Sequence, residues 1–344
     1  MDSVSQFALG AAVGVAVMGR RTAPWKAALW GGACGTLPDL DALIDYGDPV
    51  SNMTLHRAES HSIFWQSLAS APIAAAIAAI DRGAISFRES FPRWLLAVWL
   101  VLVTHALLDA MTVYGTQLAL PFTDRPYGLG SIFIIDPLYT LPLLVGLLVA
   151  VRARKPSAHA WNSAGLVLST AYLAWSAAAQ QHVTGIVEAD LASRPASPSR
   201  QVERVLVTPA PFSTVLWRVL VMRPDGYDEG FHSLLDGGRP IRYASFPRDR
   251  ALYEQTREFP AVTRIAWFSR GFFRVDERGG AVRITDLRMG QEPFYVFSFA
   301  VAQRASAPRP IAPVALGGRE GMDLSASLDW LWRRAAGADI DPPR

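Results

Sequence analysis

Two ionisable side chains lie inside an apolar stretch of the sequence, at a spacing that suits metal binding. His105 and Asp109 are four residues apart, which places both side chains on one face of a helix. A histidine and a carboxylate at this spacing chelate a divalent metal well. The alternative for this pair alone is a hydrogen bond between the two side chains that ties helices together.

Further histidines and carboxylates flank the neighbouring apolar stretches. Asp39 and Asp41 interrupt the second stretch, and His56 and His61 stand before the third. Taken alone, the two aspartates are also typical of a turn, and His56 is typical of a solvated loop. With the first pair, however, three of the six histidines and three carboxylates converge at one end of three adjacent apolar segments. This convergence predicts a metal site.

Histidine and carboxylate side chains must hold any such metal. The chain has one cysteine, Cys34, which excludes a cysteine-rich zinc or iron–sulfur site. Asp136 starts the fifth apolar stretch directly before Pro137, and it is expected either to cap that helix or to orient a metal-bound histidine. Ser60 is expected to cap the helix whose first turn holds His61.

The composition indicates that part of the chain lies in a membrane. Of the 344 residues, 51% are hydrophobic and only 18% are charged, and the mean hydropathy is +0.18. The uncharged runs are Phe7–Gly19, Ala27–Pro38, Ser62–Ile80, Leu95–Leu108, Pro137–Val151 and Ala160–Gln181. A membrane helix needs about 20 apolar residues, so the third and sixth runs qualify by length, whereas the first two are expected to be tilted or re-entrant. We predict an α-helical polytopic membrane domain of about four to six spans.

Lysine and arginine are concentrated in alternate loops. The basic residues after the first, third and fifth runs are Arg20, Arg21, Lys26, Arg82, Arg88, Arg93, Arg152, Arg154 and Lys155. The loops Asp45–His61 and Tyr114–Ile132 hold only Arg57 and Arg125. The positive-inside rule therefore places the first group in the cytoplasm and the histidine–aspartate cluster at the outer face of the cytoplasmic membrane. The formal net charge of +3 includes no basic block, so the lipid bilayer, not a nucleic acid, is the expected partner.

The character of the sequence changes after about Gly185. Ser193–Ser199 has the composition of a linker, and short alternating stretches broken by turn residues follow it. Arg264–Val275 is one of the stretches expected to form strands. Ser325–Ala335 has apolar residues at helical spacing and is expected to close the domain as a helix. We predict a membrane-embedded domain over residues 1–184, a linker over 185–200, and a small, mainly antiparallel β domain outside the cytoplasm over 201–344.

The motifs around these residues resemble a known family. The segments that carry the resemblance are GTLPDLD at Gly35–Asp41, HRAESHS at His56–Ser62, THALLD at Thr104–Asp109, LPFTD at Leu120–Asp124 and FIIDPLYTLPLL at Phe133–Leu144. In order and context they resemble the bacterial membrane-bound, metal-dependent hydrolases of the YdjM-like family. TPAPFSTVLWRVL at Thr208–Leu220 resembles the C-terminal extension of its longer members. The family is thought to be distantly similar to zinc-dependent phospholipase C and the P1-type nucleases.

The resemblance implies roles for six residues: the metal ligands are Asp39, His61, His105 and Asp109, and the additional ligands or acid–base groups are Asp41 and His56. It implies zinc as the metal, with manganese as the alternative. The soluble relatives use more histidines and a second motif, His-x-x-x-Glu, which has no match in this sequence. One or two bound metals are therefore expected rather than three.

The resemblance and the predicted location favour hydrolysis of a phosphate ester of a lipid or lipid-linked substrate, in which a bound metal activates water and polarises the phosphoryl oxygen. Arg57 is expected to pair with the phosphate, or equally to face lipid headgroups. Asp41 and Asp136 are the expected acid–base or orienting residues.

Two other classes of function remain open. The first is an ion or metal transporter, since intramembrane histidine and aspartate also build relays, although the predicted cytoplasmic ends carry only anchoring charges. The second is a non-catalytic membrane protein with a structural metal site. An enzyme is expected to have an open metal position, whereas a structural site is closed.

Overall fold

The computed structural model describes residues 1–19, 21–81, 86–153, 158–194, 201–304, 307–318 and 320–344. Within these residues the chain forms two compact units. The first comprises Met1–Ile44 and His56–Ala177, and the second comprises Asp45–Leu55 and Ala178–Arg344. The segment Asp45–Leu55 thus belongs to the second unit, although the chain on both sides of it belongs to the first. Four of the predicted cytoplasmic basic residues lie outside the described residues: Arg20, Arg82, Arg154 and Lys155.

Helices form the first unit and continue into the second. In chain order they are α1 (Ser3–Met18), α2 (Pro24–Thr36), α3 (Pro49–Leu55), α4 (Ile63–Ile80), α5 (Phe87–Met111), α6 (Pro137–Arg152) and α7 (Ala158–Ser193). Two short 3₁₀ helices, Pro38–Leu43 and Glu59–His61, follow α2 and precede α4. Each of the six apolar runs lies largely in one of these helices, which confirms the helical character predicted for the N-terminal half.

Two helices in the described parts of the chain, α4 and α5, are long and apolar enough to cross a membrane. α1 and α6 are apolar but shorter. α7, whose apolar run predicts a span by its length, is not one of the two, because polar residues such as Asn162, Ser169 and Ser176 dilute its hydropathy. The most apolar stretch of α5 is 56% buried and that of α4 only 28%, so α5 is the inner helix and α4 leaves much of its apolar surface uncovered. A larger number of spans and their orientation stay predictions.

Glycines allow α1 and α2 to pack with their backbones in direct contact. A Cβ atom on Gly31 would lie 2.3 Å from the carbonyl oxygen of Gly10, and one on Gly35 would lie 2.7 Å from the carbonyl oxygen of Gln6. Both distances are shorter than any real Cβ contact, so this approach requires glycine at these positions. The contact fixes the C-terminal end of α2, which also packs against α5.

The second unit is built on antiparallel sheets. Its strands are β1 (Arg204–Pro209), β2 (Leu216–Arg223), β3 (Gly226–Ser233), β4 (Tyr243–Pro247), β5 (Phe273–Arg278), β6 (Ala281–Asp286), β7 (Gly290–Gln291), β8 (Phe294–Tyr295), β9 (Ser298–Gln303) and β10 (Arg309–Ala315). They form two four-stranded sheets, ordered β1-β2-β3-β4 and β10-β9-β6-β5, and the short pair β7-β8. Every pairing is antiparallel, which confirms the predicted β domain. The second half of α7 packs on the first sheet, where Val183 and Val187 contact Val207 and Trp217.

Three more helices belong to this unit: α8 (Arg250–Thr256), α9 (Pro260–Phe268) and α10 (Leu324–Ala335). α10 confirms the predicted closing helix. The strand prediction for Arg264–Val275 is wrong over its first half, which is helical in α9 because Pro260 starts the helix at its N1 position and Val262, Ile265 and Phe268 bury one face. The predicted linker over residues 185–200 begins inside α7, and residues 195–200 lie outside the described part of the chain.

Candidate metal centre

Four side chains of the first unit bring one potential ligand atom each to a common point. His105 and Asp109 come from successive turns of α5, Asp39 from the first 3₁₀ helix and His61 from the second. The four ligand atoms all lie within 4.8 Å of one another. The first 3₁₀ helix follows α2 and the second precedes α4, and both α2 and α4 pack against α5. This packing brings Asp39 and His61 close to the two ligands on α5.

Five of the six distances between the four atoms are close to those of a tetrahedral metal site. His61 Nε2 lies 3.0 Å from His105 Nε2, 3.5 Å from Asp39 Oδ1 and 3.2 Å from Asp109 Oδ2. His105 Nε2 lies 3.6 Å from Asp39 Oδ1 and 3.7 Å from Asp109 Oδ2. Ligands about 2.0–2.1 Å from a tetrahedral zinc are separated from each other by about 3.3–3.4 Å. A divalent ion therefore fits among these atoms after shifts of a few tenths of an ångström.

The chemistry of the donor set also fits a cation. Asp109 is completely buried, and among the described residues its Oδ2 atom has no hydrogen-bond partner. Arg57 Nε is 3.0 Å from this oxygen, but the geometry is not that of a hydrogen bond. Buried charged oxygens are normally hydrogen-bonded or coordinated. Asp109 Oδ2 is therefore the atom whose environment most clearly calls for a bound ion.

Both histidines are held by their other ring nitrogen. His105 Nδ1 lies 2.7 Å from the carbonyl oxygen of Gly35, to which it donates, so Nε2 carries the lone pair and points to the other ligands. His61 Nδ1 lies 2.8 Å from Ser60 Oγ and 3.5 Å from Asp41 Oδ2. Such outer contacts orient metal-bound histidines and raise their basicity.

Asp41 and His56, predicted as further ligands or acid–base groups, lie beside the four-residue group and not within it. Asp41 Oδ1 is 2.6 Å from His56 Nδ1, and Asp41 Oδ2 accepts hydrogen bonds from the Arg57 backbone N–H and the Ser60 hydroxyl. Burial alone would raise the pKa of Asp41, but the contacts from His56, His61 and Ser60 outweigh it and hold this pKa well below its usual value. Asp41 thus organises the segment that carries His61. A direct ligand role for Asp41 or His56 stays a prediction.

Arg57 is buried next to the ligands, and its pairing with a phosphate stays a prediction. Its Nη1 donates to Thr112 Oγ1 at 3.2 Å, and its guanidinium lies over the Tyr114 ring at 4.9 Å. Its backbone has a φ of +65°, a left-handed conformation that is unfavourable for a non-glycine residue. Strain of this kind persists where the surrounding structure holds the residue in place.

The electrostatics of the group favour positive charge. Burial alone would lower the pKa of His61, but the carboxylates of Asp109, Asp39 and Asp41, each within 3.5 Å of its ring nitrogens, outweigh it and raise the pKa to about 9. For Asp39, burial is likewise outweighed by the neighbouring imidazole rings of His105 and His61, which keep its pKa well below the usual value. Carboxylates that stabilise a proton on His61 would equally stabilise a metal cation between the same atoms.

The remaining predicted residue, Asp136, caps α6. Its carboxylate accepts from the Leu138 backbone N–H at 3.0 Å and from the Tyr172 hydroxyl at 2.8 Å, and Pro137 occupies the N1 position, which confirms the predicted helix cap. Asp136 is not in the four-residue group, and its acid–base or orienting role stays a prediction.

Two residues at the site were not identified from the sequence. Gln6 donates from Nε2 to Asp109 Oδ1 at 2.9 Å, and the Met1 amino group contacts the same oxygen. An amide side chain inside the apolar α1 is the one signal that points to Gln6.

The predicted helix cap, Ser60, is two residues too early. Ser60 contacts Asp41, whereas Ser62 caps α4.

The fold and this cluster define a class: a protein of apolar helices with a buried group of two histidines and two aspartates, attached to an antiparallel β unit. The chain belongs to the YdjM inner membrane protein family, whose family model matches residues 1–183. All four residues of the cluster lie in the matched part, and the expected membership of the YdjM family is confirmed, whereas the distant similarity to phospholipase C and the P1-type nucleases stays a prediction. No curated protein and no solved structure matches the chain.

Proposed function

We propose that this protein is a metal-dependent hydrolase that cleaves a phosphate ester of a lipid or lipid-linked substrate at the outer face of the cytoplasmic membrane. The observation that carries the proposal is the group of Asp39, His61, His105 and Asp109, with ligand atoms at tetrahedral spacing and one ligand reaching the surface. The side chain of Asp39 is 19% exposed, while the other three side chains are at most 1% exposed. Such an arrangement supports a metal that a substrate can reach from the Asp39 side.

The four residues would hold zinc, or alternatively manganese, since imidazole and carboxylate ligands suit both. Bound there, the ion would supply Lewis-acid polarisation of a phosphoryl oxygen and a more acidic water. The protein supplies the positioning: Gly35 and Ser60 fix the two imidazole rings, and Gln6 holds one oxygen of Asp109.

Phosphate binding is assigned to Arg57, and proton transfer to the Asp41–His56 pair. The Arg57 guanidinium, next to Asp109, lies where it would attract a phosphate group towards the cluster. Asp41 holds Nδ1 of His56, which leaves His56 Nε2 as the atom that takes or gives a proton. The His56 side chain is 23% exposed, so part of it is open to water. Asp136 supports the site by fixing the start of α6.

The proposed location rests on the charge distribution of the loops. Basic residues are concentrated at the ends of the apolar runs that are remote in sequence from the cluster, and the positive-inside rule then puts the cluster on the outer side. Membership of an inner membrane protein family supports a lipid or lipid-linked substrate. The second unit would then also lie outside the cytoplasm.

The test is hydrolysis by the full-length protein in nanodiscs, supplied with zinc or manganese and a panel of lipid phosphate esters. We expect product release that Asp39→Asn abolishes and that Arg57→Lys reduces at least tenfold, because lysine lacks the bidentate fork that matches a phosphate. His159→Ala, a histidine of α7 outside the cluster, is the matched control and should retain wild-type turnover. Absence of turnover in the metal-loaded wild type over the whole panel contradicts the proposal.

A spectroscopic measurement separates an open site from a closed structural one. Cobalt(II) bound in place of the natural metal reports its coordination through its visible absorption spectrum. An open position predicts that inorganic phosphate changes this spectrum. A spectrum that phosphate and chloride leave unchanged would favour the structural alternative.

A further inference from the structure

The first 3₁₀ helix carries an exposed row of leucines next to a residue of the metal cluster. A 3₁₀ helix has three residues per turn, so residues three apart lie directly above one another. Leu37, Leu40 and Leu43 follow this spacing and are 41%, 54% and 83% exposed, whereas Asp41 faces inwards and is buried. Leu37 already has helical backbone angles, φ −58° and ψ −43°, and so belongs to the same row. We call these three residues the leucine ridge.

The leucine ridge stands at the open side of the cluster. Asp39, the one partly exposed residue of the four, lies between Leu37 and Leu40 on the same short helix. Asp39 is two residues from Leu37 and one from Leu40, so a ligand that reaches Asp39 from outside comes close to the ridge. Three large aliphatic side chains uncovered in a row are unusual on a surface that faces water.

A second apolar feature lies at the same end of the first unit. Phe64 and Trp65 lie in the first turn of α4, three and four residues after His61, and Phe122 contacts Phe64 edge-to-face with ring centroids 5.6 Å apart. Phe122 is 79% exposed and Trp65 is 42% exposed. Exposed aromatic residues at the end of an apolar helix are typical of the boundary between lipid and water. The cluster therefore lies close in sequence and structure to two groups of side chains that suit a lipid environment.

We propose that the leucine ridge is inserted in the acyl-chain region of the bilayer and receives the acyl chains of the substrate, so that the substrate reaches Asp39 from the membrane and not from water. The insertion follows from the exposed aliphatic residues of the ridge and from the largely uncovered apolar surface of α4 in the same unit. The part of the proposal that concerns the substrate rests on the proposed hydrolase function. A second copy of the chain or another protein covering the ridge is the competing outcome.

Membrane insertion is tested by spin-label accessibility in nanodiscs, which does not depend on activity. Leu40→Cys and Leu43→Cys are introduced singly with Cys34→Ala, since Cys34 is the one native cysteine. Leu68→Cys, from an exposed position of α4, is the lipid reference, and Glu258→Cys, from an exposed position of the second unit, is the water reference. If the Cys34→Ala variant does not fold, the single cysteines are introduced into the protein that keeps Cys34, because Cys34 is buried. The wild-type protein is then the control that measures how much Cys34 itself is labelled.

Insertion predicts that labels at residues 40 and 43 are accessible to oxygen and shielded from a polar nickel relaxation agent, as at residue 68. Accessibility to the nickel agent as high as at residue 258 would overturn the proposal. Shielding from both agents would also overturn it, because it would indicate a protein partner or a second copy on the ridge.

The claim that the leucine ridge receives the acyl chains of the substrate is tested with the double variant Leu40→Ser/Leu43→Ser. We expect the ratio of kcat/KM for a long-chain lipid phosphate to that for a short-chain soluble ester to fall at least tenfold, with bound metal unchanged. Leu235→Ser, an exposed leucine of the second unit, is the matched control and should keep the wild-type ratio. An unchanged ratio in the double variant overturns acyl-chain recognition. A wild type that hydrolyses neither substrate overturns the hydrolase and this part together, while the spin-label result still decides the insertion.

Discussion

Among single side chains, the buried carboxylate of Asp109 gives the strongest indication of a bound cation. Burying a carboxylate costs several kcal/mol unless charges or hydrogen bonds compensate it. Arg57 offsets part of that cost, and Gln6 satisfies one oxygen, but the second oxygen faces two imidazole nitrogens and a second carboxylate. A divalent cation at that point would neutralise Asp109 and Asp39 together.

Asp41 lies one step away from the proposed metal and gives the first prediction. Asp41→Asn keeps the shape of the side chain but weakens its contacts with His56 and His61 Nδ1. Loss of an outer partner of a metal-bound histidine typically lowers metal affinity about 10–100-fold. Competition against a chelator of known affinity should show this loss, and His159→Ala should bind the metal as tightly as the wild type. Equal affinities of Asp41→Asn and the wild type would mean that Asp41 does not orient His61.

Among helices, the contact between α1 and α2 links packing to the site. The carbonyl oxygen of Gly35 that holds His105 lies on a helix whose approach to α1 requires Gly31. Gly31→Val would force the two backbones apart, and overpacking of this kind costs about 1–3 kcal/mol. We expect a lower unfolding temperature and weaker metal binding together.

The matched control for this substitution is Gly185→Ala in α7, where a Cβ would meet no atom within 4 Å. Alanine favours a helix over glycine by about 1 kcal/mol, so this variant should be at least as stable as the wild type. A Gly31→Val variant as stable as Gly185→Ala, with wild-type metal affinity, would contradict the importance of the glycine contact.

Among strands, His232 of β3 makes the second unit sensitive to acid. Burial lowers the pKa of His232. The charge of Asp236 raises this pKa, whereas the charges of Arg334 and His182 lower it further. The folded state therefore keeps His232 neutral, while the unfolded chain binds a proton below pH of about 6.5. Stability contributed by this residue is present above that pH and decreases as the pH falls towards the lower folded pKa.

Hydrogen exchange of the full-length protein measures this effect at the β2–β3 pair, where His232 is opposite Trp217. After correction for intrinsic rates, protection of peptides from these strands should decrease between pH 7 and pH 5.5. His232→Gln should reduce that dependence. A wild type whose protection is the same at both pH values contradicts the assignment.

Helix spacing and motif order were sufficient to predict much of the fold and most of the site. α10 follows from Leu328, Leu331 and Trp332, and the ligand group follows from the i, i+4 pair on α5 together with the polar interruptions next to it. α9 was not predicted, because its adjacent aromatic residues also favour strands, and burial of one face decides the outcome. Gln6 could not be assigned, since its contact with Asp109 depends on the packing of α1 against α5.

For the molecule as a whole, the sequence predicted a helical N-terminal part and an antiparallel C-terminal part, and both are observed. It did not indicate that Asp45–Leu55 would pack with the second unit. In that unit Arg264 Nε donates to Thr54 Oγ1 at 2.8 Å, a contact between residues 210 positions apart that no local pattern indicates. The segment is flanked in sequence on both sides by residues of the first unit, which end at Ile44 and begin again at His56. Its place in the second unit therefore follows from long-range packing and not from local sequence.

Elemental analysis of the full-length protein tests whether the cluster in the first unit binds a divalent metal. Protein purified in detergent without chelators should contain about one zinc or manganese per chain, as expected for one tetrahedral site. The His105→Ala/Asp109→Ala double variant should lose it, and so should Asp39→Asn, a milder change at the partly exposed ligand. His159→Ala should retain it. A wild type without metal, or variants that keep the wild-type content, would contradict metal binding by the cluster.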